Sequence, residues 1–198
     1  MRPKTILKQL NPLLRAPSFT SREAADYGVN TSVLGHYVEH GDLERLSRGV
    51  YRFADAPAFK DFRFEDLASA VQTVKDGVIC LTSALALYDL TEEIPRQHWI
   101  AIRNTTRHRA PSSTKVVRMR NLSLGKTKIE VGGLSLPIFD RERTIVDSFR
   151  YLSIEIALKA LKVALTKRGP EKINLEKIRN YAKVLRVDIQ PYILAVTT

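Results

Sequence analysis

The chain has 198 residues, with 32 lysines and arginines against 21 aspartates and glutamates and a formal net charge of +11. That length suits one domain, or a small module joined to a second, and argues against a large multidomain enzyme; 44% hydrophobic and 27% charged residues argue against a wholly disordered chain. The single cysteine, Cys80, excludes an internal disulfide framework and a cysteine-based zinc site. Its apolar setting, Val78-Ile79-Cys80-Leu81, predicts a small buried hydrophobe in a reduced, cytoplasmic protein. No run approaches the roughly eighteen apolar residues of a membrane span. Met1-Arg2-Pro3-Lys4 has no long apolar segment behind it, so no signal peptide is expected. The positive balance points to a polyanion, most simply nucleic acid.

Ile6, Leu7, Leu10, Leu13 and Leu14 recur at helical spacing and predict an amphipathic helix over 3–15, broken by Pro17. Phe19-Thr20-Ser21-Arg22-Glu23-Ala24-Ala25 then carries a helix start. Thr20 can cap, Glu23 can complete a capping box, and Phe19 or Ala24 can form the staple. This helix covers 20–27 and stops at Gly28. Asn30 or Thr31 caps the next helix, whose apolar stripe is Leu34, Tyr37 and Val38 and whose end is Gly41. Two short helices around a glycine-containing turn form the helix-turn-helix pattern. Residues 43–46 and 50–53 alternate around Gly49, which predicts a hairpin. Three helices followed by a hairpin is the winged helix-turn-helix order, assigned to 1–54.

In such a module the second helix of the pair enters the major groove, N-terminal residues first. With the stripe turned inward, Thr31, Ser32, Gly35 and His36 face out; hydroxyls read either base type, and Gly35 admits a close backbone approach. Ser21 and Arg22 are placed to meet a phosphate. Arg45, Arg48 and Arg52 lie in or beside the wing, where cations reach the backbone or a minor groove. The competing reading is a winged helix used for protein contact, since the module carries only +3 and its second helix contains Glu39.

Residues 55–62, rich in small residues and proline, read as a linker, and 63–198 as a larger mixed α/β C-terminal domain, giving an α+β chain overall. The spacing predicts a helix from Phe64 to Lys75, a strand or helix lead-in at 78–81 and a capped helix over 82–90. Strands at 99–102 and 116–120 follow, then a hairpin of 129–131 and 134–138 around Gly132-Gly133. Asp140 caps a helix over 141–149; further helices cover 153–168, closed by Gly169-Pro170, and 174–186, before a tail with Pro191.

Residues 103–128 carry eight basic side chains and no acidic one: Arg103, Arg107, Arg109, Lys115, Arg118, Arg120, Lys126 and Lys128. Packing does not call for such self-repulsion, so a polyanion or acidic-partner surface is expected there; a strand edge kept soluble by cations is the plain alternative.

Catalytic signatures are poor. There is no glycine-rich phosphate loop, no HExxH and no Cys–His constellation. His36 and His40 share a helix face without further ligands, and His98 and His108 are isolated. Asp140, Glu142 and Asp147 are expected as a cap and a solvated face. A non-enzyme without metal or cofactor is the reading, with a carboxylate-using nuclease as the rival.

The run Phe19–Ala25, followed by Gly41-Asp42-Leu43-Glu44-Arg45-Leu46-Ser47-Arg48-Gly49-Val50-Tyr51-Arg52, resembles the N-terminal winged helix of AbiEi-type antitoxins. These belong to the AbiE abortive-infection (phage-defence) systems, classed as type IV toxin–antitoxin pairs. Leu81-Thr82-Ser83-Ala84-Leu85-Ala86-Leu87-Tyr88-Asp89-Leu90-Thr91 and Asp140-Arg141-Glu142-Arg143-Thr144-Ile145-Val146-Asp147 are similar to that family's C-terminal domain. The resemblance implies a two-domain autorepressor that binds operator DNA with inverted repeats, as a monomer in solution pairing on DNA. It also implies a C-terminal domain that counteracts a nucleotidyltransferase-like toxin without a stable complex. The alternative is a plain winged-helix regulator whose C-terminal domain binds a ligand or dimerises.

Overall fold

A computed structural model describes residues 7–93, 95–107 and 110–197. Helices and sheets are mixed in an α+β arrangement. The described residues fall into two compact units: one runs to Lys75 and takes in 129–136, and the other comprises Asp76–Arg107, Ser112–Lys128 and the chain from Pro137 onward.

In the first unit, the described part of the predicted N-terminal helix is a 3-10 helix, Leu7–Leu13. Pro12 lies inside it, where its missing N–H leaves one ladder position unfilled. Strand β1 (Phe19–Thr20) leads into α1 (Ser21–Asp26). The capping box is complete: the Glu23 N–H donates to the Thr20 hydroxyl at 3.1 Å, and the Thr20 N–H to the Glu23 carboxylate at 2.7 Å. Asn30 caps α2 (Thr31–Glu39) by accepting from the Val33 N–H at 3.1 Å. Strands β2 (Leu43–Ser47) and β3 (Val50–Phe53) form the predicted hairpin, and β1 pairs with β3, giving the order β1-β3-β2. Leu10, Phe19, Leu34, Tyr37 and Phe53 meet in one apolar core.

A 3-10 turn, Phe62–Phe64, precedes α3 (Glu65–Thr73). This helix is bonded to the hairpin through hydroxyls: the Ser47 and Thr73 oxygens lie 2.8 Å apart and Ser69 donates to Ser47 at 3.1 Å. Ser18, just before β1, donates to Gln72 at 2.9 Å. The first compact unit therefore extends through α3, past the 55–62 stretch expected as the junction.

After α3, β4 (Val78–Ile79) and α4 (Leu81–Leu87) are followed by β5 (His98–Ile102), β6 (Thr114–Arg118), β7 (Lys126–Val131) and β8 (Leu134–Phe139). The sheet order is β6-β5-β4-β8-β7, with β5 parallel to β6 and β4 parallel to β8. Helices α5 (Arg141–Tyr151), α6 (Ile154–Thr166), α7 (Leu175–Leu185) and α8 (Gln190–Thr197) follow. The last replaces the expected tail. Pro191 falls in its first turn, where a missing N–H costs nothing, and Ile193 is buried.

Cys80 is fully buried; burial pushes its thiol pKa up, and the Asp147 charge adds to the effect. Asp140 caps α5 as expected, accepting from the Arg143 N–H at 2.8 Å. Glu142 and Asp147, however, are not on a solvated face: α5 is buried from Glu142 to Ser148 because α4, α6 and α7 all pack on it. The Arg143 Nε donates to Asp147 at 2.7 Å, with both side chains 1% exposed. Burial pushes the Asp147 pKa up while Arg143 opposes the rise.

Around the start of α5, Lys177 of α7 sits 3.0 Å from Asp140 and 3.2 Å from Glu142. Burial works against its ammonium, but those two carboxylates outweigh it and hold the lysine pKa above the ordinary value. Tyr181 donates to Asp140 at 3.0 Å and the Asn174 N–H to Glu142 at 3.0 Å, so α7 is tied to α5 by both ends of one network.

Truncating one partner of the buried pair should be costly. Arg143→Met is expected to lose about 3–5 kcal/mol in urea denaturation, because it strands the Asp147 charge. Adding Asp147→Leu should recover part of that loss; equal instability of the single and double variants would place the cost elsewhere.

Candidate nucleic-acid interface

The outward side of α2 follows from its core side. Val33, Leu34 and Tyr37 are buried, leaving Thr31 and Ser32 exposed and Gly35 and His36 half-buried. The Ser32 hydroxyl donates to the capping Asn30 at 2.7 Å. His36 and His40 rings lie 4.0 Å apart, and the His40 Nδ1, 2.8 Å from the His36 carbonyl, carries the proton it donates there. Among the described residues, no group of three His, Cys, Asp or Glu side chains gathers to hold a metal ion.

Gly35 is the unusual residue of this helix. A Cβ built on it meets nothing within 4 Å, and its φ is not in the left-handed range. Neither packing nor backbone geometry requires a glycine there, yet glycine in a helix interior costs about 0.5–1 kcal/mol relative to alanine.

The start of α1 is fixed to the hairpin turn. The Ser21 N–H donates to the Gly49 carbonyl at 2.8 Å, which sets Ser21 and Arg22 beside the turn that carries Arg48. Gly49 is at φ +76°, and a Cβ on it would lie 3.2 Å from the Ser21 hydroxyl. A bulge between Arg45 and Ser47 bends β2, with the Arg45 Nε donating to the Ser47 carbonyl. Arg22, Arg45 and Arg48 are exposed. Arg52 does not stand with them. It pairs across the strands with Glu44 at 2.8 Å and reaches Glu65 at 3.5 Å, so two carboxylates already share its charge.

The basic segment 103–128 does not form one patch. Lys115 and Arg118 lie on β6 and Lys126 and Lys128 on β7, which occupy opposite edges of the sheet. Lys115 lies over the Trp99 ring at 4.1 Å, its partner in the β5–β6 register. Arg118 turns back to donate to the carbonyls of Arg103, Asn104 and Thr106, holding the turn after β5. Arg103, Arg107 and Arg120 are exposed, and Arg109 lies outside the described residues. The buried polar network of α5 was the main group that sequence reasoning missed; the four-residue spacing of Arg143 and Asp147 around Ile145-Val146 was its signal.

Among the described residues, no helix is long and apolar enough to cross a membrane. Residues 13–54 match the family model described as "Transcriptional regulator, AbiEi antitoxin". The matched stretch spans α1, α2 and the β2–β3 hairpin. That family is a regulatory antitoxin family. No curated protein matches the chain.

Replacing Gly35 tests whether its place in the helix is a structural need. Gly35→Ala should raise stability by about 0.5–1 kcal/mol, read as a higher thermal midpoint. A fall in the midpoint would show that packing, not an open face, requires the glycine.

Proposed function

We propose that this protein is the antitoxin and autorepressor of a type IV toxin–antitoxin phage-defence system. The first unit is a winged helix-turn-helix that reads operator DNA. The second unit counteracts a nucleotidyltransferase-like toxin in the cytoplasm, with no lasting complex required.

The observation that carries the DNA reading is Gly35: a helix-weakening residue kept where nothing crowds it, on the outward side of α2 beside exposed Thr31. A missing side chain there lets the helix backbone approach base edges closely. Ser21 and Arg22 at the start of α1, and Arg45 and Arg48 in the hairpin, supply the phosphate contacts that set the docking angle. The bonds from the Ser21 N–H to the Gly49 carbonyl and from the Arg45 Nε to the Ser47 carbonyl keep Ser21 and Arg45 in a fixed frame. One such module per chain matches one half-site, so inverted repeats would bring two chains together on DNA. The match of residues 13–54 to an antitoxin family supports the second role.

Fluorescence anisotropy on the protein's own promoter tests the first role. Gly35→Ala is expected to weaken binding by about tenfold, equivalent to ~1.4 kcal/mol, despite stabilising the fold. Arg48→Ala should weaken binding and reduce the salt slope by about one. Arg52→Ala should change the slope less, its charge being shared with Glu44 and Glu65. Unchanged affinity and slope in the Gly35 and Arg48 variants would refute the interface.

Co-expression with the product of the adjacent gene tests the second role. A Gly35→Ala, Arg48→Ala chain is expected to lose repression and still restore growth. Failure of this folded variant to restore growth would remove the division of labour.

A further inference from the structure

We infer that the second unit carries a cleft for a phosphorylated nucleoside at the carboxyl ends of β5 and β6, an inference that stands apart from the operator reading. The two strands run parallel with Ile102 opposite Arg118, so the chain leaves both at the same end. The residues that follow, Arg103 and Asn104 after β5 and Met119 to Ser123 after β6, line a cleft of about 410 Å³. Crevices beyond the carboxyl ends of parallel strands are where open sheets take ligands. The volume falls in the range of small-molecule sites, roughly 300–1,000 Å³.

The walls are held from behind. Arg118 secures one, through the carbonyls of Arg103, Asn104 and Thr106. Arg143, from inside the unit, secures the other by donating to the carbonyls of Asn121 and Leu124 at 3.2 and 3.1 Å. Asn121 sits at φ +53°, a left-handed conformation, and its side-chain oxygen accepts from Ser123 at 3.1 Å. Two arginines thus serve the backbone, and two others, Arg103 and Arg120, line the opening. No acidic residue lies between positions 103 and 128.

The chemistry of the lining selects the ligand. A guanidinium matches phosphate oxygens in a bidentate fork, and two arginines line this cleft. Met119 and Leu122, both nearly buried, supply an apolar floor for a ribose or base, and Asn104 adds an amide at the rim. A fixed frame of this kind lowers the ordering cost of binding. The occupant is one nucleotide unit, supplied as a free nucleoside triphosphate or as a residue of single-stranded RNA.

Isothermal titration of the full chain with ATP, CTP and a single-stranded RNA oligonucleotide tests this. At least one probe should bind, and Arg103→Gln with Arg120→Gln should raise its Kd about tenfold or more. Lys126→Gln with Lys128→Gln, at the opposite sheet edge, should leave the Kd within about twofold, well under 1 kcal/mol. The bound probe should slow phenylglyoxal modification of Arg103 and Arg120 in the unaltered protein. Triphosphate binding assigns the free nucleotide as occupant, and RNA binding alone assigns the RNA. No binding of any probe at ~1 mM, the weak end of specific association, overturns the inference. Equal losses in the two double variants, or no slowing of modification, overturn it too.

Discussion

A guanidinium withdrawn almost wholly from water is costly unless its donors are met, and Arg143 meets that demand from several directions. It bonds Asp147 on its own helix, takes the carbonyls of Asn121 and Leu124, and lies 4.6 Å from the centre of the Phe139 ring. Its backbone N–H is capped by Asp140. The side chain leaves no room nearby: a Cβ at Gly125 would come within 2.7 Å of the Arg143 Cβ, and Gly125 sits at φ +66°. One residue thereby sets the start of α5, the turn between β6 and β7, and one wall of the cleft beyond it.

The first unit was legible because its signals are local. The Thr20–Glu23 box, the Asn30 cap, the stripe on α2 and the glycine turn at Gly49 each act over a few residues, and each forms as the spacing predicts. What failed to show in the sequence depends on distant partners. Glu142 and Asp147 read as a wet face because charge usually marks one; α4, α6 and α7 bury them, and no spacing rule reveals which helices will cover a fourth. Arg52 reads as a free cation until Glu65, thirteen residues on, is brought beside it. The run of cations in 103–128 suggests one surface only while the chain is a line, since folding sends β6 and β7 to opposite margins.

Errors of secondary structure have equally specific origins. The stretch expected as a tail is helical, with Pro191 in a first turn where a missing N–H is harmless, and the described part of the helix expected over 3–15 is a 3-10 helix that contains Pro12. The compact first unit reaches Lys75 because hydroxyls on α3 seek the Ser47 hydroxyl and Ser18 seeks Gln72. Such polar attachments leave no mark in hydrophobic periodicity.

The Ser21 amide, bonded to the Gly49 carbonyl, carries a consequence for spectroscopy. Its proton belongs to the first turn of a helix, yet its acceptor belongs to the tip of a ribbon. Any twist of that ribbon alters the length of this single bond, and amide chemical shifts respond steeply to such lengths. One nitrogen–proton correlation therefore acts as a built-in gauge of ribbon posture, readable without an added label.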